Sequence, residues 1–216
     1  EDDTDREAEV LSELLDSRYN SDRNKRPSVE TLLHSLIPYT FVVHTHPALV
    51  NGITCGINGD ELVAQLFGEE AIWIPICNPG FTLAQYVKKE IEKFRKEERV
   101  LPKILFLQNH GVFVSGNSVQ EIDAIYSVLF RKIKMRVDHF PVEDIEFTDY
   151  RLNQRVMRTL RGETDRELMV KGFYNHDILQ MSKSREDFLP VSCAFTPDHI
   201  VYYGAKPLYC KDWNDL

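Results

Sequence analysis

The stretch Phe41-Val42-Val43-His44-Thr45-His46-Pro47 decides how this chain is read. Three apolar, strand-favouring residues run straight into a His-x-His pair. Strand side chains alternate faces, so both imidazoles point the same way, with Cα atoms roughly 6.5–7 Å apart. A metal held about 2.0–2.1 Å from each ring nitrogen fits between them. Pro47 ends the strand and suits the first turn of a following helix. The same pair also suits a polar rim on a buried strand, so a second signal is needed to choose.

That signal is Lys103-Ile104-Leu105-Phe106-Leu107, a short buried strand followed at once by Gln108-Asn109-His110-Gly111. Val112-Phe113-Val114 then resumes an extended pattern. Two hydrophobic strands thus deliver histidine at their carboxyl ends, where open α/β sheets gather ligands. Three histidines around an open position are the donor set of a catalytic zinc site.

Working outward, helices and strands alternate. Residues 5–18 carry Ala8, Val10, Leu11, Leu14 and Leu15 among acids, an amphipathic helix. Residues 19–26 form a polar loop, Pro27 and Ser28 start a helix, and residues 29–37 continue it. Two short helices are expected over 48–54 and 60–67, a strand over 71–75, and long helices over 82–97 and 118–139. This order implies an α/β fold, a central sheet covered by helices. Residues 1–140 are read as the metal-binding core. Residues 141–216 are read as a helical segment (141–185) and a C-terminal hairpin, built on Ile200-Val201-Tyr202-Tyr203 and Pro207-Leu208-Tyr209, packed on the same domain.

Composition limits the function classes. A chain of 216 residues can bury a sizeable core. A formal net charge of −8 speaks against nucleic acid and anionic membranes as partners. No apolar run reaches the roughly 18 residues of a membrane span, and no signal peptide is visible. Cys55, Cys77, Cys193 and Cys210 are scattered, the usage of reduced thiols in a cytoplasmic protein. The chain opens on Glu1 rather than methionine, so an upstream piece is expected. No Gly-x-Gly-x-x-Gly occurs, which leaves a nicotinamide cofactor unsupported.

Glu30 is the next candidate, fourteen residues before His44 and one helical turn before His34. A carboxylate beside a metal can accept a proton, or ligate the metal until substrate displaces it. Spacing alone favours the plainer role of an acid near a helix N-terminus. His34 is expected to pack in the core. His139 and His176 are expected to be peripheral, and His199 opens the C-terminal hairpin.

Four separated motifs, in this order, resemble the class II aldolase/adducin family. They are Arg26-Pro27-Ser28-Val29-Glu30-Thr31-Leu32-Leu33-His34, His44-Thr45-His46-Pro47, Pro79-Gly80-Phe81-Thr82-Leu83-Ala84 and Gln108-Asn109-His110-Gly111. The resemblance covers roughly residues 26–135. It is nearest to the aldolase portion of the bifunctional rhamnulose-1-phosphate aldolase/alcohol dehydrogenases. It implies a three-layer α/β/α fold with a mostly antiparallel central sheet and, here, a small C-terminal extension. It implies that His44, His46 and His110 hold Zn²⁺, and that Glu30 is the base and a displaceable ligand. The implied reaction is cleavage of a ketose or ketose phosphate through a metal-stabilised enediolate, and the implied assembly is a homotetramer. A pentulose-phosphate epimerase, a dehydratase and a non-catalytic adducin-like assembly module share the same resemblance. The Gly-Asn loop that holds phosphate upstream of the acidic helix has no counterpart in residues 22–26. Ser115-Gly116-Asn117-Ser118 has similar letters, but its place after His110 suits a helix cap.

Overall fold

The computed structural model describes residues 3–19, 23–28, 30–140, 143–147, 149–161 and 171–211. They fall into two compact units, Glu1–Arg136 and Val137–Leu216. The first contains α1 (Asp3–Asp16), α2 (Thr31–Leu36), β1 (Phe41–Thr45), α3 (Ala48–Thr54), α4 (Gly59–Phe67), β2 (Ala71–Ile74), α5 (Phe81–Lys96), β3 (Ile104–Leu107), β4 (Val112–Gly116) and α6 (Val119–Lys134). No described helix is long and apolar enough to cross a membrane.

The sheet runs β1-β4-β3-β2. β4 pairs antiparallel with both β1 and β3, and β2 pairs parallel with β3. The parallel pair follows from its connection, because α5 lies between the two strands in sequence and carries the chain back to the starting edge. The sheet is therefore mostly antiparallel, as expected.

Strand periodicity sorts the core into two faces. Leu105, Leu107, Ile72, Ile74 and Phe113 pack with Leu33 of α2 and with Leu83, Val87 and Ile91 of α5. The alternate residues Ile104, Phe106, Val112 and Val114 pack with Val50 and Ile53 of α3, Val63 and Phe67 of α4, and Ile122, Leu129 and Ile133 of α6. This is the expected α/β/α sandwich. β3 is buried along its whole length because helices cover both its faces, which explains its unbroken Ile-Leu-Phe-Leu run. Each such fully buried side chain contributes about 1.5–3 kcal/mol.

Val42 joins the first face and Val43 the second. His44, two residues from Val42, therefore faces the layer that contains α2. Thr45 faces the other layer, where its hydroxyl meets the Tyr126 hydroxyl at 2.7 Å.

Two helix starts are held by side chains, one local and one distant. Ser118 caps α6, accepting the Glu121 N–H at 3.2 Å, so this Ser-Gly-Asn-Ser segment is a cap as its place predicts. The Glu7 carboxylate accepts the N–H groups of Phe81 and Thr82 at the start of α5. Gly80 (φ +101°) makes room for it, since a Cβ there would stand 2.4 Å from a Glu7 oxygen.

The second unit departs from expectation in two places. The segment read as helical contains a strand pair, β5 (Ile145–Phe147) antiparallel to β6 (Gly172–Tyr174), besides α7 (Tyr150–Arg161) and α8 (His176–Met181). The strand-like Ile200-Val201-Tyr202-Tyr203 does not form a hairpin but lies in a π-helical turn, His199–Tyr203. β-branched and aromatic residues favour strands only where a neighbouring strand supplies cross-strand contacts, and Leu208 is unpaired and exposed. Pro197 at the first helical position presets the turn instead.

Candidate metal centre

Three local features aim four side chains at one point. His44 leaves β1 toward the α2 layer, and His46, one residue past the strand, keeps the same direction by the two-residue period. His110 sits in the tight turn between β3 and β4. Asn109 takes the left-handed conformation there (φ +56°), one that asparagine tolerates. The turn is tied down by Leu107 N–H to the Gly111 carbonyl (2.9 Å) and by Asn109 N–H to the Thr54 carbonyl (2.8 Å). Glu30 occupies the N-cap of α2 but makes no side-chain cap. Ser28 accepts the Glu30 N–H at 3.2 Å, which leaves the carboxylate free to turn inward.

Glu30 Oε1 lies 3.2 Å from His44 Nε2 and 3.1 Å from His110 Nε2. His44 Nε2 is 2.9 Å from His46 Nε2 and 3.3 Å from His110 Nε2. One potential ligand atom from each of the four residues lies within 4.8 Å of every other, and all four residues are half-buried. Donors at about 2.0–2.1 Å from a tetrahedral metal stand roughly 3.3 Å apart, so the spacing suits such an ion. The tautomer suits it too. His44 Nδ1 is 3.0 Å from the Val112 carbonyl, which can only accept, so Nδ1 carries a proton and Nε2 is the nitrogen turned toward the other three residues, the one that would ligate a metal once unprotonated. Imidazole lone pairs and a carboxylate crowded this closely need a shared positive charge, protons or a metal. Hydrogen bonds from His110 and then His44 hold the Glu30 carboxyl well below the usual carboxylate range, so it is ionised at neutral pH.

The ring of His44 stacks on Phe113, its cross-strand partner, with centroids 4.2 Å apart. His34, expected in the core, is exposed, and its ring meets the edge of Phe113 at 5.2 Å. A helix of six residues buries one narrow stripe, and Leu33 occupies it. The remaining histidines belong to the second unit. His139 pairs with Asp177 at 3.1 Å, His176 is exposed, and His199 bonds the Thr196 hydroxyl.

Sequence reasoning missed the groups that support these four. The Val112 carbonyl and the Gly111 backbone have no side-chain signature. Asn51 and Thr54 lie in a stretch read only as a short helix; polar residues at its inward positions were the available signal.

The residues 4–137 match the family model described as "Class II Aldolase and Adducin N-terminal domain". The chain is 29% identical over 215 residues to the "Uncharacterized oxidoreductase YuxG" of Bacillus subtilis (strain 168). That alignment covers 93% of this chain and 30% of the relative, so the chain spans under a third of that protein's length. The solved N-terminal class II aldolase domain of a conserved protein from Thermoplasma acidophilum is similar at 27% identity and a TM-score of 0.48, over 60% of this chain and 57% of that one. The match of a single family model to well over half of its residues, with the strand-borne histidines inside the matched region, means that the chain belongs to the class II aldolase/adducin family.

Proposed function

We propose that this chain is a zinc-dependent aldolase domain that cleaves a ketose or ketose phosphate, with His44, His46 and His110 as metal ligands and Glu30 as the proton carrier. The observation that carries the reading is the convergence of three Nε2 atoms and one carboxylate oxygen within 4.8 Å. A module kept only for assembly has no use for four converging donors. A divalent metal bound there supplies Lewis-acid stabilisation of the negative charge that develops as the carbon–carbon bond breaks.

The chain's own groups supply the rest. The Val112 carbonyl fixes the ring of His44, and the Phe113 face packs against it, so the donor is oriented before substrate arrives. In cleavage, the departing fragment loses its hydroxyl proton as its aldehyde forms. The fragment that keeps the electron pair of the broken bond takes up one proton. Glu30 carries that proton, since its carboxylate is ionised and borders both His44 and His110.

Elemental analysis of protein purified without added metal tests the first half, with His44→Ala/His46→Ala as control. About one zinc per chain is expected, and a wild type that cannot be loaded with zinc overturns the reading. Product analysis against a set of ketoses and ketose phosphates tests the second half. Aldehyde release is the expected outcome, whereas epimerised or dehydrated products would reassign the reaction within the family. Glu30→Gln in a zinc-loaded protein should lower kcat by about 10²-fold or more. Near-normal turnover would remove Glu30 from the role.

A further inference from the structure

Two polar side chains are buried in α3 beside the apolar Val50 and Ile53. Asn51 is 4% exposed and Thr54 is 0% exposed. A buried amide or hydroxyl costs free energy unless it is hydrogen-bonded, and the partners of these two lead to the histidines. Asn51 Nδ2 donates to the His46 carbonyl at 3.5 Å, and Thr54 Oγ1 donates to Asn51 Oδ1 at 3.4 Å. The Cys55 sulfur also lies 3.9 Å from that hydroxyl. The backbone closes the connection at both ends. Asn51 N–H donates to the Pro47 carbonyl at 2.9 Å, and the Thr54 carbonyl accepts the N–H of Asn109, the neighbour of His110, at 2.8 Å.

One turn of α3 therefore touches both segments that present histidine outside the sheet. β1 ends at Thr45, before His46, and β3 ends at Leu107, before His110. The strand register fixes His44 but leaves the gap between His46 and His110 to whatever bridges the two loops. The series His46, Asn51, Thr54, Asn109, His110 is such a bridge; its Thr54–Asn51 bond is buried and its Asn51–His46 bond is partly so.

We propose that Asn51 and Thr54 are positioning residues of the metal centre, a buried strut that sets the separation of His46 from His110. The inference rests on the metal-site reading given above. It assigns the pair a task beyond holding α3 together: removing the Thr54 hydroxyl, or the Asn51 amide, misplaces ligands in a protein that is still folded.

Cobalt(II) titration of the whole chain tests this, because its visible spectrum reports coordination geometry as well as occupancy. Thr54→Val keeps the shape and deletes the hydroxyl, Thr54→Ser restores the hydroxyl, and Asn51→Ala deletes the amide. The expected result is a loss of Co²⁺ affinity of about 10–100-fold and an altered spectrum in Thr54→Val and Asn51→Ala. Thr54→Ser should stay close to the wild type, and all metal-free variants should give folded circular dichroism spectra. Should Asn51→Ala fail to fold, the Thr54 pair decides. Wild-type affinity and spectrum in folded Thr54→Val overturns the strut, as does an equal loss in Thr54→Ser. A wild type that takes up no cobalt or zinc overturns the metal-site reading and the strut with it, so the two failures are distinguishable.

Discussion

At Gly111 the centre leaves no space for even a methyl group. A Cβ there would stand 2.4 Å from His46 Cδ2 and 2.5 Å from the Thr45 carbonyl oxygen. The carbonyl belongs to a paired strand and cannot retreat, so the His46 ring must give way. We expect Gly111→Ala to lower zinc affinity tenfold or more while leaving the sheet intact, measured by chelator competition alongside circular dichroism. Unchanged affinity would mean that His46 is dispensable or that the turn relaxes freely. Acidification acts on the same atoms. Protons compete with a metal for imidazole nitrogen, so on the zinc reading proposed above metal should be released as pH falls.

Among the elements, the start of α6 has the clearest electrostatic signature. Glu121 is at once the third residue of the helix, the acceptor of the Asn117 N–H at 2.6 Å, and the ion-pair partner of Lys103 beside β3. Lys103, and then the Asn117 N–H, hold its carboxyl below the ordinary range. A group whose folded pKa is depressed adds stability above its unfolded pKa, about 4.3. That stability disappears as pH falls through the folded value. Glu121→Gln should therefore melt at a lower temperature than the wild type at pH 7, and the gap should narrow as acid titration carries the carboxyl through its depressed folded pKa. A gap that persisted at low pH would assign the loss to the cap geometry rather than to the charge.

For the whole molecule, the first unit presents apolar side chains that no described residue covers, among them Ile57 (99% exposed), Val100 (85%) and Ile76 (62%). Covering such surface favours association, and membership of the family adds weight to a homo-oligomer. We expect a tetramer by light scattering at micromolar concentration. A monomer of this chain would refute that for residues 1–216.

The sequence alone determined what depends on short-range chemistry. The period-two run into His44 and His46, the all-apolar run of residues 104–107, the Pro47 and Ser118 helix starts and the order of elements in the first unit were legible, because strand alternation and helix capping act over a few residues. Tertiary structure decided what depends on which distant segments meet. By spacing alone Glu30 reads as an ordinary helix-start acid, and only the motif resemblance singled it out; the fold brings its carboxylate to 3.1 Å from a histidine eighty residues away in sequence. His34 left the core because Leu33 took the narrow buried stripe of α2. The run 200–203 became a helical turn because, among the described residues, no strand pairs with it, and strand formation needs that neighbour. The Val112 carbonyl, the bare Gly111 backbone and the Asn51–Thr54 pair act only through contacts closed by the fold, and no local pattern of residues announces such contacts.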